Sequence, residues 1–463
     1  MMDISISQIP IFYIFAALCA LLVFFNLAGA VGKRTRMQFA STILFLALIV
    51  ASIAWMMANN SDYVALGILH VDAFSLFFAL IFTFGMMLVN ILGYARDLHY
   101  SSFALLGSFA LMGMYLVAFA GSLVSIFIGL ELMGIPTIFA MLLSKRVAIE
   151  ASVKLFILAS VAIALFSFAM VLVYGATGSV ALVSPAAASN LMLIALGMII
   201  AALGFEAALF PFNLWVPDVY QGASTHVTAM IGGINKKVGF LALLEVLFLL
   251  FAVDKAVFVP IMYVLAVITM FYGNIAALAQ RNVKRMLAYS SIAQAGYIAI
   301  GIAVATGYSL SASLFQIFAH MIMFIGAIAV VLFMESKNRS EINDYIGLHK
   351  ESSIAAFCLT IMLLSLIGTP LTMGFMGKFL LFSSAVYGGA LLLALIGILN
   401  SVISVYYYFR VITAMYSSKS DPQHLHVRGN VLFVIVLCTL LVIAFGVYPN
   451  LIMGIAGSAA ALI

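Results

Sequence analysis

Apolar residues arrive in runs of about twenty, parted by short polar connections, and almost none of the chain alternates apolar with polar for more than a few positions. Twenty residues of α-helix rise about 30 Å, the thickness of a bilayer's hydrocarbon core, so each run predicts one membrane-crossing helix. The runs fall at 10–30, 38–58, 72–95, 102–120, 122–143, 151–174, 189–213, 226–252, 256–279, 286–306, 310–334, 353–384, 388–415 and 430–456, about fourteen in all. A membrane barrel would need ten-residue alternating segments instead. The pattern predicts an all-α membrane protein, a single polytopic domain over 1–463 with no linker or low-complexity tract inside it.

Two runs carry helix breakers. "GFEAALFPFNLWVPDVYQG" holds Pro211 and Pro217, and "SLIGTPLTMGFMGKF" holds Pro370 with Gly374 and Gly377 close behind. Proline removes a backbone donor and clashes with the preceding turn, so spans seven and twelve are expected to be discontinuous. Pro217 and Pro370 lie 153 residues apart, roughly the offset between spans four and nine. Two five-helix repeats follow, 102–252 and 256–415, and an odd number of helices per repeat makes them inverted. Broken helices at matching places in inverted halves point to a transport site near the bilayer midplane.

Composition sharpens this picture. The 463 residues are 66% hydrophobic and 8% charged, with a mean hydropathy of +1.26, more apolar surface than a water-soluble domain can hide. If the N-terminus faces outward, fourteen of the twenty Lys and Arg residues fall in loops on the inner side, Lys255 alone falls outside, and Lys154, Lys236, Lys237, Lys378 and Arg410 lie within spans. Such one-sidedness is the positive-inside rule, and it places both termini outside. The net charge of +5 is thereby explained without a nucleic-acid partner. "MMDISISQIP" lacks a basic leader region, so 11–30 is read as a retained first helix. Cys19, Cys358 and Cys438 are isolated from one another, which predicts no disulfide framework, no zinc and no iron–sulfur cluster on this chain.

The remaining charges are the informative ones. A charge at a helix centre costs about 2.5 to 3.5 kcal/mol on insertion scales, so it must pair or meet water. Glu131 sits mid-span in "GLELMGIP", Glu206 precedes the first break, Lys236 and Lys237 lie in the eighth run, and Lys378 follows the second break. His226 and His320 add two titratable rings. Burial disfavours charge and an opposite partner restores it, so such a set can exchange protons when one member's charge changes, the requirement of a proton relay. Duller roles compete at some positions. Lys154 stands four residues after Glu150 and can form a surface pair with a snorkelling stem. Lys236 and Lys237 are about 100° apart and cannot both face one cavity. Lys378 can satisfy carbonyls freed by the broken helix, Glu245 and Arg410 fit span-end anchors, and His320 fits a satisfied core histidine.

Five motifs then carry a family likeness: "GLELMGIP", "EASVKLFILASVAIALFSFAMVLVYGATGS", "FPFNLWVPDVYQGASTHVTAMIGGINKKVGF", "RNVKRMLAYSSIAQAGYIAIGIA" and "INDYIGLHK" followed by "SLIGTPLTMGFMGKF". Over roughly 70–415 the chain resembles the antiporter-like membrane subunits of complex I, in particular the subunit N family of prokaryotic NADH:quinone oxidoreductase, counterpart of mitochondrial subunit two. The resemblance implies a fourteen-helix subunit, one of several in a membrane arm in the prokaryotic plasma membrane, moving protons when redox chemistry occurs in a peripheral arm. It implies no cofactor on this chain, with flavin and iron–sulfur clusters in partner subunits. By position, Glu131 resembles the family's fifth-helix glutamate, Lys154 its sixth-helix lysine, Lys236 its central eighth-helix lysine and Lys378 its twelfth-helix lysine on the exit side.

Three positions depart from the family. Glu206 stands where a lysine usually pairs with the fifth-helix glutamate, His226 replaces a proline, and Gln294 replaces a common histidine. Either one carboxyl of Glu131 and Glu206 is held protonated, or Lys154 serves as the cation between them. Relatives in methanogens use a reduced deazaflavin and a phenazine instead of NADH and quinone, and nothing in the motifs separates the two. Two other functions remain open: a subunit of a multi-subunit sodium/proton antiporter, and a non-pumping structural subunit of the same complex.

Overall fold

A computed structural model describes residues 9–32, 35–59, 61–65, 68–94, 99–143, 147–185, 189–418 and 425–461. Lys33, Arg34, Arg96, Lys145, Arg146 and Lys419, which the charge map uses as loop residues, lie outside them. The elements run in order as α1 (Ile9–Gly32), α2 (Thr35–Ala58), β1 (Tyr63–Ala65), β2 (Leu69–Val71), α3 (Ala73–Tyr94), α4 (Tyr100–Ala118), α5 (Leu123–Leu142), α6 (Val147–Thr177) and α7 (Asn190–Ala207). Next come α8 (Val216–Gly222), α9 (Thr225–Met230), α10 (Lys236–Glu245), α11 (Lys255–Leu278), α12 (Val283–Val304), α13 (Gly307–Glu335) and α14 (Leu348–Glu351). The chain ends with α15 (Ser353–Ile367), α16 (Met373–Tyr387), α17 (Leu391–Tyr416), α18 (Gly429–Val447) and α19 (Asn450–Ala460).

Among the described residues twelve helices are long and apolar enough to cross a membrane. The eighth and twelfth predicted spans are missing from that count because neither is one regular helix. The eighth is α9 and α10, with a π-helical turn at Ile231–Asn235 between them and a second at Val246–Leu250 after Glu245. The twelfth is α15 and α16, separated by Gly368 at φ +97°, Pro370 and Leu371 at φ +68°. Span seven breaks as its prolines predict, α7 stopping at Ala207 and the short α8 beginning beside Pro217, where the missing N–H costs nothing. Two features differ from the expectation. A two-stranded antiparallel hairpin pairs Tyr63 with Val71, too short to leave a periodic trace. The fourteenth run divides at Tyr448 and Pro449, so α18 and α19 are separate helices.

The chain forms two compact units. The first holds residues 1–207 and 234–258, with the last six residues; the second holds 208–233 and 259–457. In the first, α4 and α5 cross so closely that a Cβ on Gly113 would lie 2.4 Å from the Met133 nitrogen, and one on Gly129 would lie 2.7 Å from the Gly113 carbonyl oxygen. Small residues at such a crossing let backbones touch where lipid supplies no hydrophobic drive. In the second, the 29-residue α13 is buried almost throughout, packed by α9, α12, α15, α16 and α18.

Candidate functional site

Glu131 lies two residues past the α4–α5 crossing, on a helix capped by the reciprocal Ser122 and Ser125 bonds and interrupted by Pro136. Glu206 is the penultimate residue of α7. The fold brings these two carboxylates to one cavity of about 50 Å³, which Ser160 and Phe166 of α6 also line. That is room for a water molecule or two. Both carboxylates are half-buried, and Ser160 is the one other polar side chain in a lining that is otherwise apolar.

Lys154 does not line this cavity. Its Nζ lies 2.9 Å from Glu150 with the side chain 47% exposed, the i, i+4 pair that the sequence offers. Lys236 and Lys237 open α10 and are both fully buried. Their helix is held at two places within the first unit. Asn235 Nδ2 donates to Thr137 Oγ1 at 2.7 Å, tying the residue before Lys236 to α5. One turn later Gly239 meets the α7 backbone, where a Cβ would come within 2.3 Å of the Ala207 nitrogen and 2.8 Å of Glu206 Cβ. The helix that carries the lysines is thus seated against the helices that carry the two glutamates.

The second unit holds the other candidates. Lys378 is buried, and its Nζ donates to the carbonyls of Leu366 at 3.0 Å and Ile367 at 2.9 Å, the last residues before the break. Tyr297 puts its ring face 4.4 Å from the same ammonium, a cation–π contact. A hydroxyl network continues from there. Asn274 and Ser401 donate to the Tyr297 hydroxyl at 3.4 Å, and Tyr407 donates to Asn274 Oδ1 at 3.0 Å. Beside it Gln316 Nε2 donates to Gln294 Oε1 at 2.9 Å, and Gln294 Nε2 donates to the Leu366 carbonyl. His226 is buried at the start of α9 with Ser224 Oγ 3.4 Å from its Nε2, and His320 is buried on α13 with its ring 5.7 Å from that of Phe324.

Three buried groups escaped the sequence reading. Glu245, placed there as an anchor, is 4% exposed with Oε2 unpartnered. Lys284, counted as a loop cation, is 3% exposed and ion-paired to Glu335. Tyr297 lay inside a quoted motif but gave no signal, because an aromatic residue in an apolar run reads as core. No group of three or more His, Cys, Asp or Glu residues able to hold a metal occurs among the described residues.

A family model described as "NADH:quinone oxidoreductase/Mrp antiporter, TM" matches residues 120–404. The chain is 39% identical over 371 residues to NADH-quinone oxidoreductase subunit N of Trichlorobacter lovleyi, covering 77% of this chain and 76% of that one. It is 39% identical over 371 residues to F(420)H(2) dehydrogenase subunit N of Methanosarcina mazei, covering 75% of each. A chain of respiratory complex I from Thermus thermophilus, solved with bound aureothin, superposes with a TM-score of 0.82 at 30% identity, over 95% of this chain and 99% of that one.

Proposed function

The chain belongs to the NADH:quinone oxidoreductase/Mrp antiporter transmembrane family, and from that premise we propose that it is a proton-translocating membrane-arm subunit of a complex I-like respiratory oxidoreductase. The observation that carries this reading is the pair of carboxylates, Glu131 and Glu206, opening on one cavity, with two fully buried lysines on the helix packed against α7.

Two carboxylates facing one small space repel when both are ionised, so the pair holds a proton between them and yields it when a nearby charge changes. Lys236 is the central carrier, a primary amine sealed from bulk water whose proton is held or released by the charge of its surroundings. Lys378 serves the exit side: the two carbonyls and the Tyr297 ring hold its ammonium form. Lys154, Lys237, His226 and His320 are secondary members of the set. Fourteen crossings in two inverted repeats with both termini outside, in the cell membrane, complete the reading. Redox chemistry, flavin and iron–sulfur clusters belong to partner subunits, and this chain contributes ion movement only.

The test uses the assembled complex in vesicles. Glu131→Gln and Lys236→Ala are expected to leave electron transfer in place or slowed while protons moved per electron fall. Unchanged stoichiometry in both variants rejects the proposal. Purified complex without flavin or iron–sulfur absorbance favours a sodium/proton antiporter instead.

A further inference from the structure

At one end of the second unit, α12 begins and α13 ends side by side, with Val283 N donating to the Ser340 carbonyl at 3.0 Å and Ile342 N to the Arg281 carbonyl at 2.9 Å. Lys284 enters from this end and is almost wholly buried. Its Nζ donates to the carbonyl of Ala223 at 2.8 Å, to Thr225 Oγ1 at 3.3 Å and to Glu335 Oε1 at 3.4 Å. The Thr225 hydroxyl donates to the other oxygen, Glu335 Oε2. The next residue, Arg285, reaches Asp218 at 2.8 Å and Gln221 at 3.0 Å. Two adjacent cations therefore hold the short half-helix α8 and its junction with α9.

Exposure falls steeply across this cluster. The Glu335 side chain is 25% exposed and Lys284 3%, and Thr225 is buried. Of the three groups joined here, Glu335 is the one that meets the outside, and the Thr225 hydroxyl bonded to it is buried.

A structural role alone explains this poorly. A buried ion pair is about neutral for stability, and apolar residues of the same volume would serve as well or better. Titratable groups kept within a membrane protein beside a broken helix mark an ion path more often than a brace.

We propose that Glu335, with Lys284 and Thr225, forms the port through which this subunit takes up protons at the face where α12 begins. This rests on the proton-translocating reading above. In the step, a Glu335 oxygen binds a proton from water and the carboxylate becomes the neutral acid. Its pair with Lys284 loosens, while Lys284 keeps its own proton and its bond to the Ala223 carbonyl. The acid then gives its proton to the Thr225 oxygen as that hydroxyl's own hydrogen passes inward to water, and the carboxylate re-forms against Lys284.

The experiment measures proton pumping against electron transfer in the whole complex in vesicles, with Lys236→Ala as reference. Glu335→Gln keeps the shape and the acceptor for Thr225 but cannot carry a proton; it should lose at least half as much pumping as Lys236→Ala. Glu335→Asp should recover most of it. The double variant Lys284→Gln with Glu335→Gln removes the stranded ammonium, so it separates proton carriage from a lost brace and decides the matter if the single variant does not assemble. It should assemble and still pump poorly. Normal pumping in Glu335→Gln or in the double variant overturns the port, and if Lys236→Ala is at the same time defective the proton-translocating reading survives. Normal pumping in Lys236→Ala and Glu335→Gln together overturns both.

Discussion

Gly239 and Ala207 are in backbone contact: a single added carbon on the glycine would stand 2.3 Å from the alanine nitrogen, well inside any real contact. This approach seats the lysine-bearing α10 on the helix that carries Glu206. Gly239→Ala is therefore expected to force α10 away, costing about 1–3 kcal/mol and lowering proton pumping in assembled complex. Gly197 on α7 has open space around its missing side chain, so Gly197→Ala should be neutral or slightly stabilising, by up to about 1 kcal/mol. Thermal unfolding of the two variants side by side checks this. Equal behaviour would remove the contact from the account.

Tyr297 does two things for Lys378. Its ring faces the ammonium, and its hydroxyl accepts from Asn274 and Ser401. Tyr297→Phe keeps the first and loses the second, at a cost of about 1 kcal/mol. Tyr297→Leu loses both, with about 1–2 kcal/mol more for the desolvated cation–π contact. Pumping should fall in the order wild type, Phe, Leu. A Leu variant that pumps like wild type would show that the two carbonyls suffice for Lys378.

Asp72 caps α3, accepting from Ser75 N at 2.7 Å while Ser75 Oγ accepts from the Asp72 N–H at 2.8 Å. Burial holds its carboxyl above the ordinary value; the Ser75 bonds pull it back, the Asp62 charge adds to the rise and His70 opposes it. A carboxyl raised on folding stabilises the folded state below its unfolded pKa, and that contribution is lost as pH climbs through the raised folded value. Asp72→Asn keeps a capping oxygen without the charge, so it should match wild type near about pH 4 and exceed it in stability near about pH 8. Asp72→Ala loses the cap and about 1 kcal/mol at both. Melting temperatures at the two pH values distinguish the cases, and an Asn variant weaker than wild type at the higher pH would contradict the sign.

Crossing helices were legible because a bilayer demands twenty apolar residues in a row, and both broken spans were legible because proline cannot hide in a helix. The π turns around α10 were not. They insert residues without changing residue type, and "IGGIN" reads as ordinary apolar helix. Glu131 and Glu206 were recognisable as unusual, yet their shared cavity depends on how α5, α6 and α7 pack together, which spacing along the chain does not display. Lys284 misled for the opposite reason: near a span end, a lysine that reaches water and one that turns inward to a carbonyl have the same sequence signature. Lys154 shows the i, i+4 pairing with Glu150 that its spacing allows.

The widened turns at 231–235 and 246–250 bracket a ten-residue cylinder. Each widened turn holds one residue more than an ordinary helical turn, which shifts the azimuth of every residue after it by about 100°. The direction in which Lys236 and Lys237 leave the cylinder is therefore written into the backbone at 231–235: deleting one residue there would swing both amines more than a quarter of the way round, and would turn Gly239 off the face it lays against α7.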